Sequence, residues 1–548
     1  MKKVKYFLIV LVAFFLMAAA IPNKDRYFEI VKNLDIFATL YKEVNAYYVD
    51  DVNPSQVMKT GIEAMLESLD PYTNYIAEDD IENYRTAATG EYAGIGALVD
   101  QKEGVSTILL PYEGYAADRA GLKIGDQILA INGIDISGMQ SDQTKQLING
   151  QAKSEVSLTI QRFGNPKPFE VSLQREKITV NNIPYFGMVN AEIGYMQLTN
   201  FTTKAGSEVR SALLDLKEMG ATKIILDLRG NPGGLLNEAV NICNVFIDQG
   251  KEVVTTRGKL EEWTQLYNTL NLPTDTEIPL AVLISSGSAS ASEIVSGVMQ
   301  DYDRGVLIGR KSYGKGLVQQ TRPLAYNSQL KVTTAKYYIP SGRCIQALDY
   351  SNRNPDGSVG NVPDSLITEF KTAKGRVVYD GGGVDPDIMT EAPEFAPVTL
   401  SLLNNNLIFH YATEYHFKND SIANPKDFRL NDKEYNAFMD WLTSKEFSYQ
   451  TELELELETL EEIATHDAHY DSIKPAIAAL KNKIKETKQK DLETYKRQII
   501  SILEREIASR YYLERGMIEA TFDKDKDILM AVEVLSDEGR YNAILGRN

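Results

Sequence analysis

With 548 residues, 43% of them hydrophobic and 24% charged, the chain has the make-up of a soluble globular protein too long for a single core. A net charge of −18 excludes the broad basic face that a phosphate backbone requires, and with it a nucleic-acid partner. Cys243 and Cys344 are too few for a disulfide framework; they either pair or stand as two buried free thiols.

The chain opens on the basic MKKVK, runs apolar from Tyr6 to Ile21 and carries the small residues Ala18, Ala19 and Ala20. That is the pattern of a cleaved secretory signal over residues 1–22, with a retained anchor as the alternative, because the apolar run is short for a membrane span. The expected destination is outside the cytoplasm, in a periplasm, with inner-membrane association if the segment is kept. No cysteine follows to take a lipid.

Residues 25–82 follow helical spacing, with Ile30, Val31, Leu34, Ile36, Phe37, Leu40 and Tyr41 three and four apart. SLDPYTNYIAEDDIENYR (68–85) predicts a turn at Asp70-Pro71 and a helix capped at Asp79 or Asp80. GEYAGIGALV (90–99) predicts a strand after glycine-rich punctuation. Short strands then alternate with glycine turns through 116–139, a helix at 141–150 and a strand at 156–162, which makes a compact β-rich module.

From about 176, strands and helices alternate. Lys223–Leu228, Leu280–Ser285 and Val306–Ile308 read as buried strands, and Leu235–Ile247 and Glu293–Gln300 as helices, so the core is α/β and layered. Beyond 391 the spacing of Ile477, Leu480, Ile484, Leu492, Tyr495, Ile499, Leu503 and Ile507 predicts helix starting after Pro475. In ELELELE (452–458), strand-like alternation and helix-forming composition disagree.

Residues 1–409 contain no histidine; the four are His410, His416, His466 and His469. A histidine base for chemistry earlier in the chain would require the C-terminal region to fold over it. His466 and His469 lack further ligands nearby in sequence and read as a solvated helix face, so no metal is implied.

Three turns carry the candidate chemistry. In DLRGNPGGLL (227–236), Gly233 and Gly234 allow backbone N–H groups to approach a ligand ahead of a helix; an oxyanion hole and a tight βα turn both fit. In SSGSASASEIVSG (285–297), a serine stands at a helix start between small residues, either as a nucleophile or as an N-cap. In VLIGRKSYGKGLVQQ (306–320), Lys315 lies between Gly314 and Gly316. Without histidine it is the best base for a serine, provided burial lowers its pKa from about 10.4 to roughly 7–8. Gln319 is placed to orient it. GRKSYGKG nearly spells a phosphate-binding loop, but Gly316 stands where magnesium binding needs Ser or Thr.

These stretches, with LDPYTNYI, AGLKIGDQILAING, YYIPSGRCIQ and GGGVDPDI, occur in the order found in the C-terminal processing peptidases, or tail-specific proteases, which the chain resembles over roughly residues 30–390. The resemblance implies a crotonase-like (caseinolytic-protease-like) α/β core at 176–392 and an inserted PDZ β-domain at 91–175; helical spacing adds an N-terminal helical segment at 23–90 and, beyond the reach of the resemblance, a C-terminal α-helical domain at 393–548. The resemblance further implies a Ser–Lys endopeptidase that needs no metal or cofactor and works through an acyl-enzyme. Ser290 would be the nucleophile, Lys315 the general base and Gln319 its positioner. Ala291 and either Gly233 or Gly234 would form the oxyanion hole, with Asp301 as structural support. Tyr92, Gly94, Ile95 and Gly96 would bind the free, apolar C-terminus of a protein substrate, added as a strand to the PDZ edge. The helical tail would serve dimerisation or an adaptor, and the PDZ module could cover the site until a tail binds. A silent PDZ scaffold and a serine esterase are the competing readings.

Overall fold

The computed structural model describes residues 24–354, 356–445, 447–467 and 470–547; the expected signal segment 1–22 and His469 lie outside them. The chain forms two compact units, one of the residues up to Glu78 with Gln319–Thr333, the other of Asp79–Val318 with Thr334–Asn548.

The first unit contains the helices Lys24–Tyr47 and Pro54–Glu67. Pro54 opens the second of these, where a missing N–H does no harm, and the Asn53 side chain accepts the Gln56 N–H (3.2 Å). The expected turn at Asp70 is present: its Oδ1 accepts the N–H groups of Tyr72 and Thr73, both at 2.8 Å. The strand Asn74–Ile76 then pairs antiparallel with residues 329–331.

In the second unit, the helix expected near Asp79 begins at Ile81, with Asp80 at the N-cap position. Glu91–Gly94 pairs antiparallel with Glu176–Thr179, a two-stranded stem that closes the β-rich module at its base. Within the module the strand order is Ala97–Lys102, Val105–Pro111, Gln127–Ile131, Glu155–Gln161, Phe169–Gln174. Its core is Ile95, Ile108, Leu122, Ile128, Leu158 and Ile160, each at most 1% exposed. Ala97–Lys102 is an edge of this sheet. The helix Ser141–Ile148 lies beside it, with Ser141 Oγ donating to Asp100 Oδ1 (2.9 Å).

The catalytic-looking turns hang on a six-stranded sheet ordered Tyr185–Met188, Ile193–Gln197, Lys223–Asp227, Leu280–Ile284, Val306–Gly309, Ile388–Met389. The first pair is antiparallel and the rest are parallel. The helices Ala205–Glu218, Leu236–Phe246 and Ala291–Asp301 bury one face.

The opposite face carries Tyr195, Ile225, Leu283 and Ile308. It is buried by Phe522, Ile528, Ala531, Val534, Leu535, Tyr541 and Leu545 from the chain's end. The helices of the expected C-terminal domain 393–548 contribute to two apolar cores. The earlier ones share a core around Tyr411, Phe438, Leu442, Ile499, Leu503 and Ile507, while residues 520–545 cover the second face of the six-stranded sheet. ELELELE falls in the helix Glu452–His466, capped by Thr451, whose hydroxyl accepts the Glu454 N–H (3.2 Å), and its first-turn glutamates suit the positive end. Pro475 lies inside the helix Tyr470–Lys488 instead of before it, at the cost of the backbone hydrogen bond to the carbonyl four residues earlier. Both cysteines are unpaired thiols, Cys243 fully buried.

The β-module also rests on the helix Leu407–Lys418. His410 Nε2 meets Glu103 at 2.9 Å, Lys102 lies over Phe409, and Phe163 packs on Phe417. Beneath them His416 abuts Tyr511. Burial, with Lys123 and Arg162 of the module and Arg510 of the tail nearby, pushes its pKa down to about 4. The unfolded chain takes up this proton near pH 6.5 and the folded one only near 4, so stability is lost as pH falls through that window and levels off below it. We expect His416→Phe to lose less melting temperature than wild type between pH 7 and pH 4.5. Equal losses in the two proteins would refute this.

Candidate active site

The helix Ala291–Asp301 is buried at every residue, and Ser290 stands at its N-cap with φ 56° and ψ −111°. That conformation costs a non-glycine residue about 1–3 kcal/mol, so the surroundings must hold it there. They do so on both sides of the residue. The Ser290 N–H donates to Glu293 Oε2 (2.8 Å), and its carbonyl accepts the N–H groups of Glu293 and Ile294 (2.9 Å each) and faces the Tyr337 hydroxyl (3.1 Å). Strained backbone at the head of a buried helix, with small neighbours, leaves the serine side chain partly exposed.

Lys315 is brought to the same place from the loop 310–316. Glu293 Oε2, which holds the Ser290 N–H, also accepts the Lys315 N–H (2.9 Å). Its other oxygen accepts the Gly314 N–H (2.7 Å) and the Ser312 hydroxyl (2.5 Å). Tyr337, 1% exposed, donates its hydroxyl to the Lys315 carbonyl (2.6 Å). Beyond the lysine, the Gly316 N–H donates to Gln346 Oε1 (2.8 Å). The loop is thus bolted on either side of a half-buried lysine whose backbone shares one carboxylate oxygen with that of the serine.

Glu293 is 0% exposed. Burial pushes its carboxyl pKa up, opposed by the Ser312 hydroxyl and by the N–H groups of Lys315, Gly314 and Ser290. Four donors converge on it, and the ionised form answers all of them. Sequence reasoning missed Glu293, Tyr337 and Asn231. The Ser-x-x-Glu spacing of a capping box was the available signal for the first; nothing local marked the other two.

The 230–234 turn packs directly on Ser290. A methyl group on Gly233 (φ 96°) would stand 2.6 Å from the Ala289 carbonyl oxygen and 2.8 Å from the Ala291 nitrogen, so only glycine fits. The Gly233 N–H already donates to Asn231 Oδ1 (2.9 Å) in an Asx turn, leaving Gly234 as the glycine of the pair whose N–H Asn231 does not take. Ala291 opens the helix, where its N–H has no carbonyl one turn back. Asp301, 3% exposed, ends the same helix. It accepts Arg343 Nη2 and the Ser341 N–H (2.9 Å each), anchoring the 341–343 segment.

Gln319 falls in the first unit. Its amide donates to Thr333 Oγ1 (3.2 Å), and the Thr333 N–H donates to Thr73 Oγ1 (3.2 Å), whose hydroxyl donates to Asp70 Oδ2 (3.0 Å). In the β-module, Tyr92 lies on the stem and Ile95 is 1% exposed, so the Ile95 side chain serves the core and only its backbone can face a ligand. The carbonyls of Ile95 and Gly96 accept the N–H groups of Ala117 (2.8 Å) and Tyr112 (2.9 Å). Any Cβ at Gly96 (φ 75°) would stand 2.3 Å from that of Tyr115.

Residues 192–356 match peptidase family S41, residues 107–162 match a PDZ domain, and residues 398–535 match the C-terminal helical domain of a probable PDZ-protease. The carboxy-terminal-processing protease of Bartonella bacilliformis is 36% identical over 321 residues, 58% of this chain and 73% of that protein. A probable CtpA-like serine protease of Staphylococcus aureus is 31% identical over 417 residues, 75% of this chain and 82% of that one. With the α/β core, the PDZ module and the helical C-terminal region, these matches place the chain among the carboxy-terminal processing proteases, PDZ-containing serine peptidases of family S41.

Proposed function

We propose that the protein is an exported endopeptidase that takes hold of a free C-terminus and cuts nearby bonds by a Ser–Lys mechanism. The observation that carries this reading is the shared carboxylate oxygen: Glu293 Oε2 accepts both the Ser290 and the Lys315 N–H, so the two residues are fixed against each other through their backbones. Ser290 attacks the peptide carbonyl, and Lys315 accepts its proton and returns it to the leaving amine. Water then hydrolyses the acyl-enzyme. The N–H groups of Ala291 and Gly234 receive the developing oxyanion, since that of Gly233 serves the Asx turn.

A substrate tail adds to the Ala97–Lys102 edge, its carboxylate at the Tyr92–Gly96 loop. The backbone donors of Ile95 and Gly96 suit a carboxylate, because their carbonyls point into the module, while Gly94 closes the stem against Glu176. Export rests on the basic-then-apolar pattern of residues 1–22.

An unstructured reporter ending in an apolar free carboxylate tests the reading. Ser290→Ala and Lys315→Ala are each expected to lower cleavage by about 10³-fold or more. Amidating the reporter's terminus is expected to weaken cleavage in wild type. Cleavage that survives Ser290→Ala would overturn the mechanism, and indifference to amidation would overturn tail recognition.

A further inference from the structure

The helix Lys526–Ser536 is capped by Asp525, whose Oδ1 accepts the N–H groups of Asp527 (2.9 Å) and Ile528 (3.2 Å). From that first turn Asp527, 3% exposed, reaches three elements of the peptidase core. Its Oδ2 accepts Arg229 Nη1 (2.8 Å) and Arg310 Nη1 (3.4 Å), and its Oδ1 accepts the Thr390 hydroxyl (2.5 Å). Asp525 accepts the same Arg229 Nη1 at 2.8 and 2.9 Å. The remaining edge of Arg229 lies on Asp227, with Nη2 at 2.6 Å from an oxygen that also accepts the Tyr195 hydroxyl (2.7 Å). Burial disfavours the guanidinium charge, but Asp227 and Asp525 beside it raise its pKa on balance.

What matters is where the two arginines sit. Arg229 immediately precedes the 230–234 turn, and the next N–H, that of Gly230, donates to Ser285 Oγ (3.0 Å) at the start of the segment leading to Ser290. Arg310 opens the loop that carries Lys315, and its N–H donates to the Ile284 carbonyl (3.1 Å). One carboxylate from the last layer of the fold thus ties the turn with the candidate oxyanion donors to the loop with the candidate base. A cover for the sheet face needs only apolar side chains; a buried carboxylate shared by two arginines fixes a spacing.

We propose that Asp527, assisted by Asp525, is a positioning residue for the protease: it sets the separation of the 230–234 turn and the 310–316 loop, making the C-terminal helical layer part of the catalytic apparatus. This rests on the Ser290–Lys315 reading. Charge-assisted bonds in a buried network hold geometry tightly, and a misplacement near 1 Å in a catalytic group is worth about 10²-fold in rate.

The test compares full-length Asp527→Asn with Val534→Ala, which removes packing on the same helix without touching the arginines. Asp527→Asn is expected to lower kcat about 10- to 100-fold, with KM for the tail reporter changed by no more than about 2-fold. Labelling of Ser290 by a fluorophosphonate is expected to slow in parallel. Val534→Ala is expected to lower the melting temperature and keep kcat at 25 °C. Arg310→Gln, which leaves the Arg229 and Thr390 bonds intact, is expected to lower kcat in the same direction, and it stands in if Asp527→Asn does not fold. Equal kcat in Asp527→Asn and Val534→Ala, or unchanged kcat and labelling in Arg310→Gln, would overturn the proposal while leaving Ser290-dependent cleavage in place. Cleavage or labelling unaffected by Ser290→Ala would overturn the Ser–Lys reading and this proposal with it.

Discussion

Deleting residues 520–548 is expected to leave a chain that does not fold. Phe522, Ile528, Val534, Leu535 and Leu545 are each at most 6% exposed and lie on the face of the central sheet formed by Tyr185, Tyr195, Ile225, Leu283 and Ile308. Burying a large apolar side chain stabilises by about 1.5–3 kcal/mol, so these residues together contribute on the order of 10 kcal/mol. That is comparable with the whole net stability of a typical domain, about 5–15 kcal/mol. The loss is not only apolar. The Tyr541 hydroxyl accepts the Leu280 N–H (2.9 Å), and Arg229 would keep its charge while losing both tail carboxylates. We expect the truncated protein to be insoluble or to lack a cooperative melt, whereas Val534→Ala in the full chain should melt cooperatively at a lower temperature, with a cost of the size seen for cavity-forming core substitutions. A soluble truncated chain melting within a few degrees of full length would show that the sheet does not need this layer.

The same residues show where sequence reasoning reached and where it stopped. Strand and helix positions in the core were legible because Lys223–Asp227 and Leu280–Ile284 are continuous apolar runs bounded by turn residues, a pattern set locally. Continuous runs also carry a second message: a parallel strand apolar on both sides needs a layer on each face. The helices Ala205–Glu218, Leu236–Phe246 and Ala291–Asp301 supply one layer, so another had to come from elsewhere, and the chain's end was the part without a role. The spacing of residues 520–545 gave no sign of which surface they would meet, because a docking partner some 240 residues away leaves no local trace. The site divides in the same way. Ser290 and Lys315 stood out as candidates by their small neighbours and by the absence of histidine before residue 410, and the structure brings their backbones onto one carboxylate. The parts that hold them, Tyr337 on a later strand and Asn231 through its Asx turn, act through tertiary contacts.

The other large effect is expected at Glu293, where Glu293→Gln should lower kcat about 10²-fold or more without abolishing the fold. Each carboxylate oxygen accepts two donors, Oε2 from Ser290 and Lys315 and Oε1 from Ser312 and Gly314. A glutamine amide offers one oxygen and one NH2 group, so in either orientation two donors meet a donor. If the NH2 group replaces Oε2, Ser290 and Lys315 lose their common anchor; if it replaces Oε1, the loop before Lys315 is released. Hydrogen bonds to a charged group are worth about 1.5–3 kcal/mol each, but the neutral side chain also escapes the penalty of burying an ion. The two terms oppose each other in folding, so the melting temperature should fall only modestly. Nothing offsets the loss in catalysis, because the strained Ser290 backbone and the Lys315 loop are placed by those bonds. Glu293→Asp should fail differently: it keeps the charge, but its shorter arm cannot span from the helix to the 312–315 loop. Measured kcat and melting temperatures separate the two, since Gln should lose rate with little stability and Asp should lose both. A Glu293→Gln enzyme within about threefold of wild type would mean that serine and lysine are aligned by their side chains alone.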